Sequence, residues 1–168
     1  MSELEDDDNL LDEEDEGDDI DQTYLAFEVG SESYALGVAF VSEIIPMTKI
    51  APVPDTPAYL PGVINLRGRV IPVMSLRRRF GLADEATRPV VVVVQHESTA
   101  AGLVVDGVRS VMNFPADTIR RPGRSADESG RPSLIKGIAT QGEQLHLVLD
   151  PDRLLTETGR SDGPGGAK

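Results

Sequence analysis

Two histidines, no cysteine and an arginine at a glycine bend bound the chemistry open to this chain. His96 falls in an expected turn, Gln95-His96-Glu97-Ser98, and His146 in an expected strand. Neither has a second histidine at metal-ligand spacing, and HExxH is absent. His96, Glu97 and Ser98 are neighbours in sequence, but a triad depends on spatial geometry. Without cysteine there are no thiol nucleophiles, disulfides or thiolate zinc sites. No nucleophile elbow, phosphate loop or dinucleotide fingerprint occurs. The acidic start of the chain lacks the spaced register of a calcium loop. Arg77-Arg78-Arg79 reads as a solvated face, able to attract that acidic run weakly and in a salt-sensitive way. The chain is therefore expected to work by binding, with no catalytic residue, metal or cofactor. The residue that stands out is Arg67, set in Asn65-Leu66-Arg67-Gly68 between two apolar runs. A guanidinium there can grip carboxylates or backbone carbonyls of a partner.

Charge is distributed unevenly. Residues 1–22 hold 13 acids and no Lys or Arg. Removing those from the chain's 29 acids leaves as many acids as its 16 bases. A neutral body with an acidic tail is unsuited to nucleic acid, which requires clustered positive charge. No apolar run reaches the length of a membrane span, so direct membrane insertion is not expected. Residues 1–22 are read as a disordered acidic tail, because they bury too little apolar surface to offset ordering entropy. Residues 156–168 are read as a flexible end.

Between the ends, short apolar runs alternate with turn residues. Tyr24 to Val29 and Tyr34 to Leu36 read as a first hairpin. Val38 to Ile45 reads as helical turns leading into a strand. Ala51 to Pro61 carries four prolines and cannot be an interior strand, although Thr56 to Leu60 is expected to start a short helix. Gly62 to Leu66 and Val70 to Met74 flank a bend at Arg67-Gly68-Arg69. Ser75 to Phe80 reads as a helical turn ending at Gly81. The five valines Val90 to Val94 require a strand buried on both faces. Gln95 to Ala100 reads as a polar turn, and Gly102 to Val111 as a strand broken at Asp106-Gly107. Arg120 to Ser133 reads as a loop. Gly137 to Thr140 and Gln144 to Leu149 form a closing hairpin, and Asp150 caps a last helix through Leu155. The class is all-β, a barrel or sandwich.

The block Pro61 to Val73, followed by Leu76-Arg77 and Phe80-Gly81-Leu82, strongly resembles the signature of the CheW-like family. Three further stretches agree in order: Val41-Ser42-Glu43-Ile44, Gly102 to Val108, and Ile135 to Ile138 with Leu147 to Asp150 and Leu154-Leu155. The resemblance covers residues 23–155. It implies two five-stranded SH3-like β-barrel subdomains sharing a hydrophobic core. It implies a non-enzymatic adaptor that couples methyl-accepting chemoreceptors to the CheA-type histidine kinase in chemotaxis, in the cytoplasm at membrane-associated receptor arrays. The implied partners are the kinase's regulatory domain and the receptor's cytoplasmic tip. The motif positions that carry over as partner-binding are Arg67 and Glu43, with Asn65, Leu66 and Gly68 around them, and the apolar Val41, Val108 and Val111. Glu43 is expected either to pair with Arg67 or to face the partner. Gly62 and Gly68 are expected to serve the bend, where a Cβ would clash. Many family members carry Asp where this chain has Ser75, which leaves any contact or cap at that position open.

Two other readings compete. One is a coupler for a non-flagellar chemosensory pathway, such as twitching motility or second-messenger control. The other, more remote, is a hydrolytic or small-molecule-binding β-barrel, which requires a polar pocket of convergent titratable groups.

Overall fold

The computed structural model describes residues 21–83, 88–121 and 133–158. Eleven strands occur among them, in two sheets. The first sheet uses both ends of the described chain: β1 (Thr23–Val29), β2 (Glu32–Gly37), β8 (Gly107–Asn113), β9 (Ile119–Arg120), β10 (Ile135–Gln141) and β11 (Gln144–Leu149), in the order β8-β1-β2-β11-β10-β9. The second comes from the middle: β3 (Val41–Pro46), β4 (Gly62–Leu66), β5 (Arg69–Ser75), β6 (Val90–His96) and β7 (Thr99–Val105), in the order β3-β6-β7-β5-β4. The two SH3-like units fit this arrangement, with one addition. The two-residue β9 lies where a loop was expected and gives the first sheet a sixth strand.

Both sheets alternate their side chains between two interiors. Val92 and Val94 enter a large core shared with Leu25, Phe27, Leu36 and Leu149 of the other sheet. Val91 and Val93 point the other way, onto Ile64, Ile71 and Val73 inside the second sheet's own curl. The valine run is thus buried on both faces because it separates two cores. The first sheet has its own inner cluster too, built on Tyr24, Ala35, Phe114, Ala139 and Val148.

Helix is sparse. A 3-10 turn at Val38–Phe40 leads into β3, as the mixed periodicity predicts. Helix α1 (Leu76–Arg79) follows β5, and α2 spans residues 151–158. Ser75 answers the question of the cap. Its hydroxyl accepts from the Arg78 N–H at 3.3 Å and caps α1, a role that hydroxyl and carboxylate share. Asp150 caps α2 by accepting from the N–H groups of Asp152 and Arg153.

Four expectations are corrected. No helix forms at Thr56 to Leu60; the Thr56 hydroxyl donates to the carbonyls of Val53 and Leu60 and ties a turn. The polar turn after the valines is only Glu97-Ser98, because the strands run on through His96 and from Thr99. Helix α2 continues over 156–158, where Thr158 is buried, so these three residues are not frayed. The three consecutive arginines are not a solvated face: Arg79 is buried and Arg77 half-buried, each in an ion pair. Of the expected disordered tail 1–22, residues 1–20 lie outside those described, whereas the Gln22 carbonyl accepts from the Phe114 N–H; of the expected loop 120–133, residues 122–132 lie outside them.

Candidate functional site

Asn65-Leu66-Arg67-Gly68 folds as the sequence demands. Arg67 (φ +54°) and Gly68 (φ +86°) form the two-residue link between β4 and β5, both in left-handed backbone that suits a hairpin's twist. The Asn65 side chain accepts from the Gly68 N–H at 2.8 Å and pins the turn. Gly68 is required for its φ alone, since a Cβ there would meet nothing. Gly62 is the crowded position: it starts β4, and a Cβ there would overlap the Ala51 carbonyl. Ala51 and Val63 exchange backbone hydrogen bonds of 2.8 and 2.9 Å, which tie β4 to the segment following β3. Those strands are the two edges of the second sheet, so these bonds close it on itself.

Arg67 reinforces that closure. Its guanidinium donates to both Glu43 oxygens, at 2.6 and 2.7 Å, from the β4–β5 tip to β3. The pair is internal, yet the Arg67 side chain remains 71 % exposed and Glu43 26 %. The hydrogen bonds from Arg67, and then its charge, hold the Glu43 carboxyl below its ordinary range. Arg67, Glu43, Asn65 and Gly68 thus meet at one tip, with Leu66 half-buried on the second sheet's inner cluster.

Val41, Val108 and Val111 lie apart from this tip. Val108 and Val111 belong to β8, an edge of the first sheet, and are 37 % and 60 % exposed. Residues three apart on a regular strand face opposite ways, but β8 carries a bulge. Val108 pairs with Phe27 and Ser110 with Ala26, so Arg109 is the extra residue. Val111 then pairs with Leu25. Both valines therefore face with Phe27 and Leu25, on the side of the shared core, at its open margin. β3 repeats the device. A bulge at Ser42 sets Val41 opposite Val94 and Ile44 opposite Val92, again on the shared-core side. Val41 is half-buried there, whereas Ile44 is exposed. Ile44, absent from the candidate residues read from the sequence, shares that side with Val41. Its spacing from Val41 was visible, but the bulge that makes the spacing meaningful was not. The 3-10 turn ahead of β3 packs on β1, the neighbour of β8.

The crossing between sheets is fastened at Asp106, which links β7 to β8. Arg77 donates to both of its oxygens at 2.8 Å, and the Gly30 N–H donates to it at 2.8 Å. Burial alone would raise this carboxyl, but those hydrogen bonds outweigh it and hold the group below 3.8. Arg79 donates to both oxygens of Glu157 on α2, at 2.9 and 3.0 Å, and lies against the Tyr59 ring. His96 meets Asp152 at 3.0 Å. His146 is fully buried, with Nδ1 2.7 Å from the Ser33 hydroxyl. Among the described residues no group of three or more His, Asp or Glu side chains is placed to hold a metal ion. Nor is any described helix long and apolar enough to cross a membrane.

The profile of the CheW-like domain matches residues 23–159. The chemotaxis protein CheW of Klebsiella aerogenes is 32 % identical over 144 residues, covering 83 % of this chain and 85 % of that protein. The chemotaxis protein CheW of Rhizobium meliloti is 35 % identical over 127 residues, covering 74 % and 81 %. The crystal structure of the scaffolding protein TtCheW from Thermoanaerobacter tengcongensis superimposes with a TM-score of 0.69 at 27 % identity, over 77 % of this chain and 88 % of that one.

Proposed function

We propose, from the premise that this chain belongs to the CheW-like domain family, that it joins a CheA-type histidine kinase to a chemoreceptor by binding both. It is a coupling adaptor of chemotaxis signalling. One observation supports two-sided binding best. A rigid body carries two exposed features of different chemistry on different sheets, the charged tip at Arg67 and Glu43 and the apolar margin of Val108 and Val111. A charged tip suits a partner's polar backbone or carboxylates. An apolar margin along a sheet edge suits the apolar side of a helical hairpin. We assign the kinase's regulatory domain to the first and the receptor's cytoplasmic tip to the second, with Val41 and Ile44 extending it. Each interface can be modest, because holding one partner raises the effective concentration of the other. The reading places the protein at receptor arrays on the cytoplasmic side of the membrane, working without catalysis.

The test is a three-component pull-down with a CheA-type kinase and a receptor cytoplasmic fragment from the same genome. Wild type is expected to bridge them. Arg67→Ala, folded by circular dichroism, is expected to lose the kinase and keep the receptor; Val111→Glu is expected to do the reverse. Wild type that binds neither partner across a range of salt defeats the reading.

A further inference from the structure

The 13 acids of residues 1–22 have no role in coupling as described above. The structure shows where that run is attached and what lies beside the attachment. The Phe114 N–H donates to the Gln22 carbonyl at 2.8 Å, so the acidic run joins the body at the end of β8. From there Pro115 and a 3-10 turn, Ala116–Thr118, carry the chain to β9 within five residues. Strands β8 and β9 are the two edges of the first sheet, and Met112 and Ile119 pack on one inner cluster. The two edges share that cluster at this seam, and the acidic run leaves from it.

The far side of the seam is basic. Arg120 on β9, Arg121 after it and Lys136 on β10 are all exposed, and among the described residues none has an ion pair. Strands β9, β10 and β11 contain no acidic residue. Among the described residues from Pro115 to Leu149, only Asp117 in the 3-10 turn and Glu143 in the β10–β11 turn oppose the charge. Among the described residues, the outer edge of β9 pairs with no strand. The three consecutive arginines are a poorer target, because two of them are committed to Asp106 and Glu157.

We propose that the acidic run of residues 1–22 docks on the basic edge formed by Arg120, Arg121 and Lys136 of the same chain. Asp21, Asp19 and Asp18 lie within four residues of the attachment at Gln22. At roughly 3.3 Å per residue they need little of the run's length to reach the neighbouring edge. Tethering makes the encounter intramolecular, so weak individual pairs add without a concentration penalty. The contact is electrostatic and exposed, and salt screens it. This edge then recognises acidic peptide, and its resident ligand is the chain's own start.

The absence of cysteine makes the test direct. Asn9→Cys gives the full chain one attachment point for a nitroxide label and leaves every acid in place. At about 25 mM salt the amide signals of Ile119 to Arg121 and of Lys136 to Ala139 are expected to lose at least half their intensity, and to recover at about 0.5 M. The triple variant Arg120→Glu, Arg121→Glu, Lys136→Glu replaces exposed side chains, and an unchanged amide spectrum elsewhere checks its fold. It is expected to abolish the broadening at low salt. Broadening that persists in that variant, that centres on another surface, or that is absent at low salt overturns the proposal. Broadening that scales with protein concentration overturns it in favour of contact between two copies.

Discussion

Arg67–Glu43 and Arg79–Glu157 are the same interaction in two settings. Each guanidinium donates to both oxygens of a glutamate from another element, at 2.6 and 2.7 Å in one pair and 2.9 and 3.0 Å in the other. The shorter pair is the exposed one, and Arg79 and Glu157 are only 2 % and 11 % exposed. Geometry therefore does not rank them; solvent does. Water screens the Arg67 pair and can replace either member, so the pair can open toward a partner at small cost. Removing Glu157 would take from the buried Arg79 charge the carboxylate that accepts two of its hydrogen bonds. One pair is poised for exchange and the other fixes α1 to α2.

The largest effect expected from this contrast is on Arg79. Arg79→Ala should cost about 3–5 kcal/mol, read from the midpoint of urea unfolding. A double-mutant cycle with Glu157→Gln should give strong coupling, whereas the Arg67–Glu43 cycle should give almost none. Comparable couplings would break the comparison.

Asp106 comes next, its pair with Arg77 lying between the two in exposure and nearer the buried one. Asp106→Asn should cost about 2 kcal/mol by weakening its charge-assisted bonds to Arg77 and Gly30. Its folded carboxyl titrates below the unfolded value of 3.8. Its contribution is therefore complete above that pH and is lost as pH falls through the folded value. The variant's stability difference from wild type should shrink along the same acid limb.

His146 should give a smaller and earlier pH effect. Burial, aided by the charge of Arg109, lowers its folded pKa below 6.5. The unfolded chain then takes up the proton first, so stability declines as pH falls below 6.5 and levels off below the folded value. His146→Gln should flatten this decline in urea titrations. An unchanged slope would show that His146 is not its source.

The smallest effect on stability belongs to Arg67→Ala, which should leave the unfolding midpoint at the wild-type value while reducing kinase binding at least tenfold. A large loss of stability instead would make Arg67 a structural clasp like Arg79.

What could be read beforehand divides along the same line as the ion pairs. The Arg67-Gly68 hairpin was legible because Asn65, Gly68 and the flanking apolar runs are local signals. The valine strand was legible because five β-branched residues leave no face for water. The burial of Arg79 was not, since Glu157 lies 78 positions away and three adjacent arginines look solvated. The bulges at Ser42 and Arg109 left no trace in the residue types, so the common facing of Val108 and Val111 appeared only with the strand register. Thr56 and Pro57 are good helix starters, but the prolines around them favoured a turn tied by the Thr56 hydroxyl.

The division of the first sheet between the two ends of the described chain also bears on the order of assembly. Strand β2 pairs with β11 through Tyr34 and Leu147, and β1 pairs with β8. Residues 41–105 can close their own barrel while the hairpin β1–β2 waits for most of the remaining chain to be made. At ribosomal rates that wait lasts roughly 5–20 s. A lone hairpin is marginal in water, and until the rest is made this one lacks the cover that Leu134, Leu149, Leu154 and Leu155 give Leu25, Phe27, Tyr34 and Leu36. The acidic run is synthesised immediately before it and travels beside it. During the wait the basic edge does not yet exist to neutralise those charges. Like charge on neighbouring nascent chains then keeps their sticky hairpins apart until β11 arrives.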